Sequence, residues 1–158
     1  MNLNIPYMET DNKLLNDAYR IAAGDIVGNI VYYQNGLLTE EKPCMIAGLD
    51  YNTPWTRDTA INIWNALSIL SPEVSKNTLL AVLEEEEGNI YIGGQYWDSI
   101  IWMIGAREYC RFHKDDNFYR LAFEAGRNSV HRLEEDEFDE EDGLFRGPAV
   151  YGDGIAAY

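Results

Sequence analysis

The chain is predicted to be all-α, a set of antiparallel helical hairpins with short extended segments in the loops. Three observations predict this. Apolar side chains recur at the i, i+3, i+4 spacing of an amphipathic helix in five stretches between Lys13 and Leu133. The breakers Ser71-Pro72, Gly88 and Gly93-Gly94 fall between those stretches and leave only short connections. Helices joined by short connections reverse direction at each step. At 158 residues the chain is the size of one domain, with enough apolar content for a packed core.

Taken in order, residues 1–12 are a polar lead-in. The first helix runs from Lys13 to about Val31, with Leu14, Leu15, Ala18, Tyr19, Ala22, Ile26 and Ile30 on its apolar face and Gly24 and Gly28 weakening its middle. Between Tyr32 and Met45, the Asn35-Gly36 turn signal separates two short runs that can pair as strands. The second helix spans Thr56 to Leu70 and is stopped by Ser71-Pro72; the third runs from Pro72 or Glu73 to Glu87, its glutamates forming a solvated face. A short extended piece, Asn89 to Gly94, precedes the fourth helix, Tyr96 to about Lys114, and the fifth runs from about Asn117 to Leu133. The acidic run Glu134–Asp142 is a hydrated exit without the alternate spacing of an EF-hand calcium loop, and Ile155 to Tyr158 enter a sixth helix.

Composition excludes several classes of function. A net charge of −15 repels nucleic acid and anionic membrane alike. No apolar run approaches the eighteen or so residues of a span, and no basic region precedes a short apolar one, so a cytoplasmic location is expected. Cys44 and Cys110 are too few for a disulfide framework and are expected to be reduced or buried thiols. His113 and His131 lie on separate helices without metal-ligand spacing, and no nucleophile elbow, phosphate loop or dinucleotide loop occurs, so neither metal nor cofactor is expected.

The stretch Ala47–Asp58, AGLDYNTPWTRD, carries the most chemistry. It sets Tyr51, Trp55, Arg57 and Asp58 in a loop that ends where a helix begins. Asp58 suits the positive end of the helix dipole, whereas Arg57 opposes it and therefore needs an anion or a polyhydroxyl ligand nearby. An Arg-Asp pair grips vicinal hydroxyls through charge-assisted hydrogen bonds while an aromatic face covers a sugar ring. A core tryptophan beside a surface ion pair is the alternative.

The pattern repeats. TPWTRD opens the second helix, GGQYWDS the fourth and VYGDGI the presumed sixth, an aromatic close before an acid each time. Asp58, Asp98 and Asp153 are separated by 40 and 55 positions, a helical-hairpin period. Alternate helices start at the same end of such a molecule, so the three groups are expected on one rim, although each acid alone could simply complement its helix dipole.

With these loops in view, the chain resembles the amino-terminal part of an (α/α)6 toroid of the six-hairpin glycosidases. Trp55–Asp58, WTRD, is similar to the glucoamylase segment whose Arg-Asp pair holds the innermost sugar, and DGLFRGPAVYGDGI, Asp142–Ile155, resembles the loop of family 63 α-glucosidases that carries the general acid. The resemblance implies that residues 1–158 are one domain, the amino-terminal half of a longer catalytic domain. It implies an inverting hydrolase of α-linked glucosides or related oligosaccharides. Asp153 is then the general acid, its pKa raised by burial near Tyr151 or by neighbouring carboxylates. Arg57 and Asp58 position the sugar, Trp55 and Trp97 stack on it, Asp98 takes a hydroxyl, and Tyr151 and Arg146 flank the acid. In the family the acid is typically followed by a serine-proline; here Gly154-Ile155 follows Asp153. The base of an inverting enzyme lies on the far side of the bond, and in this family it comes from a later helix. The chain alone is therefore expected to be inactive and to self-associate through apolar edges. Two other readings stand beside this one: a helical-repeat module that binds a protein, and a phosphorylase or sugar epimerase of the same superfamily.

Overall fold

The fold is that of a computed structural model, which describes residues 5–48, 50–95 and 97–146. Its helices are α1 (Lys13–Gly28), α2 (residues 56–70), α3 (Pro72–Ala81), α4 (Asp98–Phe112) and α5 (Asp116–Glu137). α2 is continuous but not uniform: Thr56–Asn62 is α-helical, Ile63–Leu67 a π turn and Ser68–Leu70 α-helical again. Six strands, β1 (Ile30–Tyr33), β2 (Lys42–Met45), β3 (Leu83–Glu86), β4 (Asn89–Ile92), β5 (Phe138–Asp139) and β6 (Leu144–Phe145), pair as three separate antiparallel hairpins.

The all-α expectation, and with it the half-toroid of helical hairpins, is corrected by those hairpins: 56% of the described residues are helical and the fold is mixed. The β1–β2 pairing was legible from Asn35-Gly36, and Gly36 sits at φ +59°, where its missing Cβ lets the turn rest on the carbonyls of Leu80, Ala81 and Leu83. The other two hairpins replace predicted helix and exit. The third helix ends at Ala81 instead of Glu87, because Leu83–Glu86 pair with Asn89–Ile92 in register Leu83↔Ile92 and Glu86↔Asn89. Glu87 (φ 51°) and Gly88 (φ 80°) both turn left-handed between them, the demand of a tight two-residue hairpin turn. The acidic run continues α5 to Glu137 and then folds back as β5–β6.

A second correction concerns α1. Asn12 caps it by accepting from the amides of Leu14 (3.0 Å) and Leu15 (3.3 Å), but no residue of the helix is buried. Leu14 is 80% and Ile21 65% exposed, and only its carboxyl-terminal end, through Ile26, reaches the main core.

That core lies between α2, α3, α4 and α5 and is built from Ile63, Leu67, Val74, Leu79, Leu83, Trp102 and Phe118. Trp102 satisfies its indole N–H on the Leu79 carbonyl (3.3 Å) and packs against Phe118. β2 is pinned to α3 through Thr78, whose hydroxyl accepts from the Met45 amide (3.0 Å) and donates to the Val74 carbonyl (2.6 Å).

Three contacts show that α2 and α4 run parallel, side by side. Arg57 meets Asp98 at their starts, Gly105 lies on Ala60 in their middle, and His113 Nε2–H donates to the Ser68 carbonyl (2.6 Å) at their ends. α3 and α5 run the other way, as Leu79–Trp102 and Lys76–Asp115 show for α3, and Tyr109–Phe118 with Gly126–Met103 for α5.

Candidate functional site

The parallel pair α2 and α4 brings two of the three aromatic-acid groups to one end of the molecule. Trp55 enters α2 with extended backbone (φ −97°, ψ 138°) and leaves its ring 48% exposed, edge-on to Tyr51 at 6.2 Å. The loop before it is anchored by a hydrogen bond between the Tyr33 and Thr53 hydroxyls (2.8 Å). Thr56, one residue further, is buried and donates its hydroxyl hydrogen to the Gly93 carbonyl (2.7 Å).

This bond draws the Gly93–Gln95 loop across the helix starts, and glycine makes the passage possible. A Cβ on Gly94 (φ +114°) would lie 2.9 Å from Asp98 Cβ, Asp98 Oδ2 and Thr56 Oγ1 alike. Asp98 is 5% exposed and doubly engaged: Oδ2 accepts from the Gln95 amide (3.0 Å) and Oδ1 from Arg57 Nε (3.1 Å). The anion that answers the misplaced charge of Arg57 is thus Asp98, from the next parallel helix. A carboxylate at the amino terminus of α4 is favoured by the dipole, and the guanidinium offsets the cost of burying it. Asp58, also in the first turn of α2, is exposed.

Two hollows open beside this pair. One of about 190 Å³ is lined by Trp55, Thr56, Glu84 and Asp98. It shares Glu84, Gly93, Gly94 and Gln95 with a larger cleft of about 570 Å³, reaching Ser129, Arg132 and Asp136 on α5. Only the larger falls within the ~300–1,000 Å³ typical of small-molecule sites, so a ligand of that size at Trp55 would have to extend past Glu84. Glu84, Gln95 and Arg132 were missed at the sequence level. Glu84 was placed on a helical face; the strand pairing Glu84↔Tyr91 turns it toward the cleft instead. Arg132 stacks over Tyr91 at 3.4 Å and bonds Glu86 (2.6 and 3.3 Å), which fixes that cleft wall.

The other expected residues are placed differently. Trp97 is half-buried, edge-on to Phe145 at 5.9 Å, so part of its surface is taken by the β5–β6 hairpin. Arg146 forms an ion pair with Asp139 of that hairpin. Tyr151 and Asp153, the third aromatic-acid pair, lie outside the described residues.

Among the described residues no group of three or more His, Cys, Asp or Glu is arranged to hold a metal ion. His113 closes α4 on Ser68, and His131 Nδ1 lies 3.2 Å from Glu134 on the exposed face of α5. Burial pushes the Cys44 thiol up to about 12, against a weaker opposing hydrogen bond from Thr78, so it holds its proton at neutral pH. Among the described residues no helix is long and apolar enough to cross a membrane. No family model, curated protein or solved structure matches the chain.

Proposed function

We propose that the chain supplies the sugar-binding part of a glycoside hydrolase that acts on α-linked glucosides or related oligosaccharides with inversion. The observation that carries the reading is the meeting of Arg57 and Asp98 at 3.1 Å beside a hollow lined by the half-exposed Trp55. An ion pair held by two helix starts is rigid, and an arginine–carboxylate pair is the chemistry that suits vicinal hydroxyls; the indole covers the apolar face of the ring. Asp58, an exposed residue, adds a second carboxylate on the same first turn of α2. In this reading Asp153 protonates the leaving oxygen, and a base outside the residues named here activates water across the bond. The chain by itself therefore binds sugar without turning it over.

The test is a titration of the chain with an iminosugar analogue of glucose, followed by tryptophan fluorescence. Saturable quenching that weakens by roughly tenfold in both Trp55→Ala and Arg57→Ala supports the reading. Absence of binding, or binding indifferent to both substitutions, overturns it. In the full-length protein Asp153→Asn should abolish turnover while leaving binding intact; unchanged turnover removes Asp153 from the mechanism. A phosphate requirement for turnover would instead indicate a phosphorylase. The interaction-module alternative draws on one observation, the wholly unburied α1 with its apolar side chains in solvent.

A further inference from the structure

We propose that the groove between α4 and α5 receives the acidic β5–β6 segment of a second copy of this chain, in a head-to-tail contact. The groove, about 140 Å³, has an apolar floor from Met103, Ala106 and Cys110 on α4 and Tyr119, Ala122 and Phe123 on α5. Tyr119 and Phe123 are 60% and 64% exposed, an unusual position for two aromatic rings one helical turn apart.

Cations outnumber acids around the groove in a chain that is otherwise strongly acidic. Arg107 lines it, and Arg120 and Arg127 on α5 and Lys114 in the connection between α4 and α5 stand exposed, four of the twelve Lys and Arg in the sequence, against the exposed Asp116 and Glu124 on α5. Arg107, Lys114 and Arg120 have no ion pair among the described residues, while nearby Glu108 is taken by Arg111 at 2.9 Å. An apolar floor with unpaired cations around it fits an acidic segment with apolar tips.

The chain carries such a segment. Eight carboxylates fall between Glu134 and Asp142, and the hairpin that follows α5 exposes Phe138 and Leu144. It cannot fold back into its own groove: Phe123 and Phe138 are separated by fifteen positions along one helix and its end, about 22 Å at helical rise. Only another copy can bring the two together, and since the two surfaces differ, the contact is heterologous and propagates or closes into a ring. The net charge of −15 opposes approach at long range, but at about 0.15 M salt that repulsion is screened beyond about 8 Å while the contact itself is local.

Sedimentation of the full chain at physiological salt tests this. The weight-average mass should rise above the 18.1 kDa of one chain with concentration. Phe123→Asp, and separately Arg107→Glu with Arg120→Glu, should each weaken association by about tenfold or more, with circular dichroism unchanged because all three positions are exposed. Glu140→Lys with Glu141→Lys should weaken it equally, and mixing the two charge-reversed chains should restore it. A monomer at every concentration overturns the proposal. So does association that ignores both sets of substitutions, which would assign it to α1, or that responds to the groove substitutions alone, which would assign the groove to another occupant.

Discussion

Replacing Gly105 by alanine tests the contact on which the candidate site rests. An added Cβ there would stand 2.8 Å from Ala60 Cα and 3.0 Å from the Ala60 carbonyl oxygen, backbone atoms that no rotamer change can move. Carbon atoms pack at about 3.5–4.0 Å, so α2 and α4 must part by roughly an ångström. Overpacking of this kind costs about 1–3 kcal/mol. At about 2 kcal/mol the midpoint of thermal unfolding falls by about 4–8 °C for a chain of this size. The same parting stretches the 3.1 Å Arg57–Asp98 bond at the helix starts and should lower sugar-analogue affinity together with stability. Gly24→Ala is the control: nothing lies within 4 Å of a Cβ at that position, so the exchange should stabilise α1 by about 0.5–1 kcal/mol, the ordinary gain of alanine over glycine in a helix. Calorimetry and urea unfolding of both variants decide the matter. A Gly105→Ala midpoint within about 1 °C of the parent would refute the close parallel packing and the site geometry built on it.

Three further outcomes are expected. Leu79→Ala empties a fully buried position beneath Trp102 and should cost about 2–5 kcal/mol, read as a lower urea midpoint at constant m value. The Lys76 ammonium at 2.6 Å, followed by the Phe118 amide, holds the Asp115 carboxyl below its ordinary value of 3.8. The folded chain thus binds that proton less readily than the unfolded one, so the stabilisation is present above the unfolded pKa and disappears as pH falls through the folded one. Asp115→Asn should flatten the acid limb of a stability-against-pH curve, and an unchanged limb would remove the pair from the balance. Cys44, buried and with its pKa pushed to about 12, should resist alkylation at pH 8 in the folded chain and react once unfolded; half-buried Cys110 should react first.

Legibility from sequence differed from element to element, for identifiable reasons. Helices α2, α4 and α5 were visible because their apolar residues face a core, so the 3.6-residue period survives in the sequence. α1 shows the same period, yet its apolar face meets solvent, since periodicity records what a helix could bury and not what is there to bury it. The glutamate run misled because glutamate is a good helix former, and local propensity yielded to the pairing of Leu83 with Ile92, both buried. Its one local signal is Gly88, which reads as a helix stop and is half of a hairpin turn.

What the chain's residue order determined by itself was charge, the positions of the breakers, and the placing of Trp55, Arg57 and Asp98 at the starts of helices of the same direction. Those follow from local chemistry and from the reversal that short connections impose. Which carboxylate answers Arg57, that Trp97 leans on Phe145, and that Glu84 lines both hollows were decided only by tertiary packing. Arg57 and Asp98, 41 positions apart, meet where Ala60 packs on Gly105, a contact that depends on the absence of a side chain, and where Thr56 bonds the Gly93 carbonyl; neither leaves a periodic trace in the sequence.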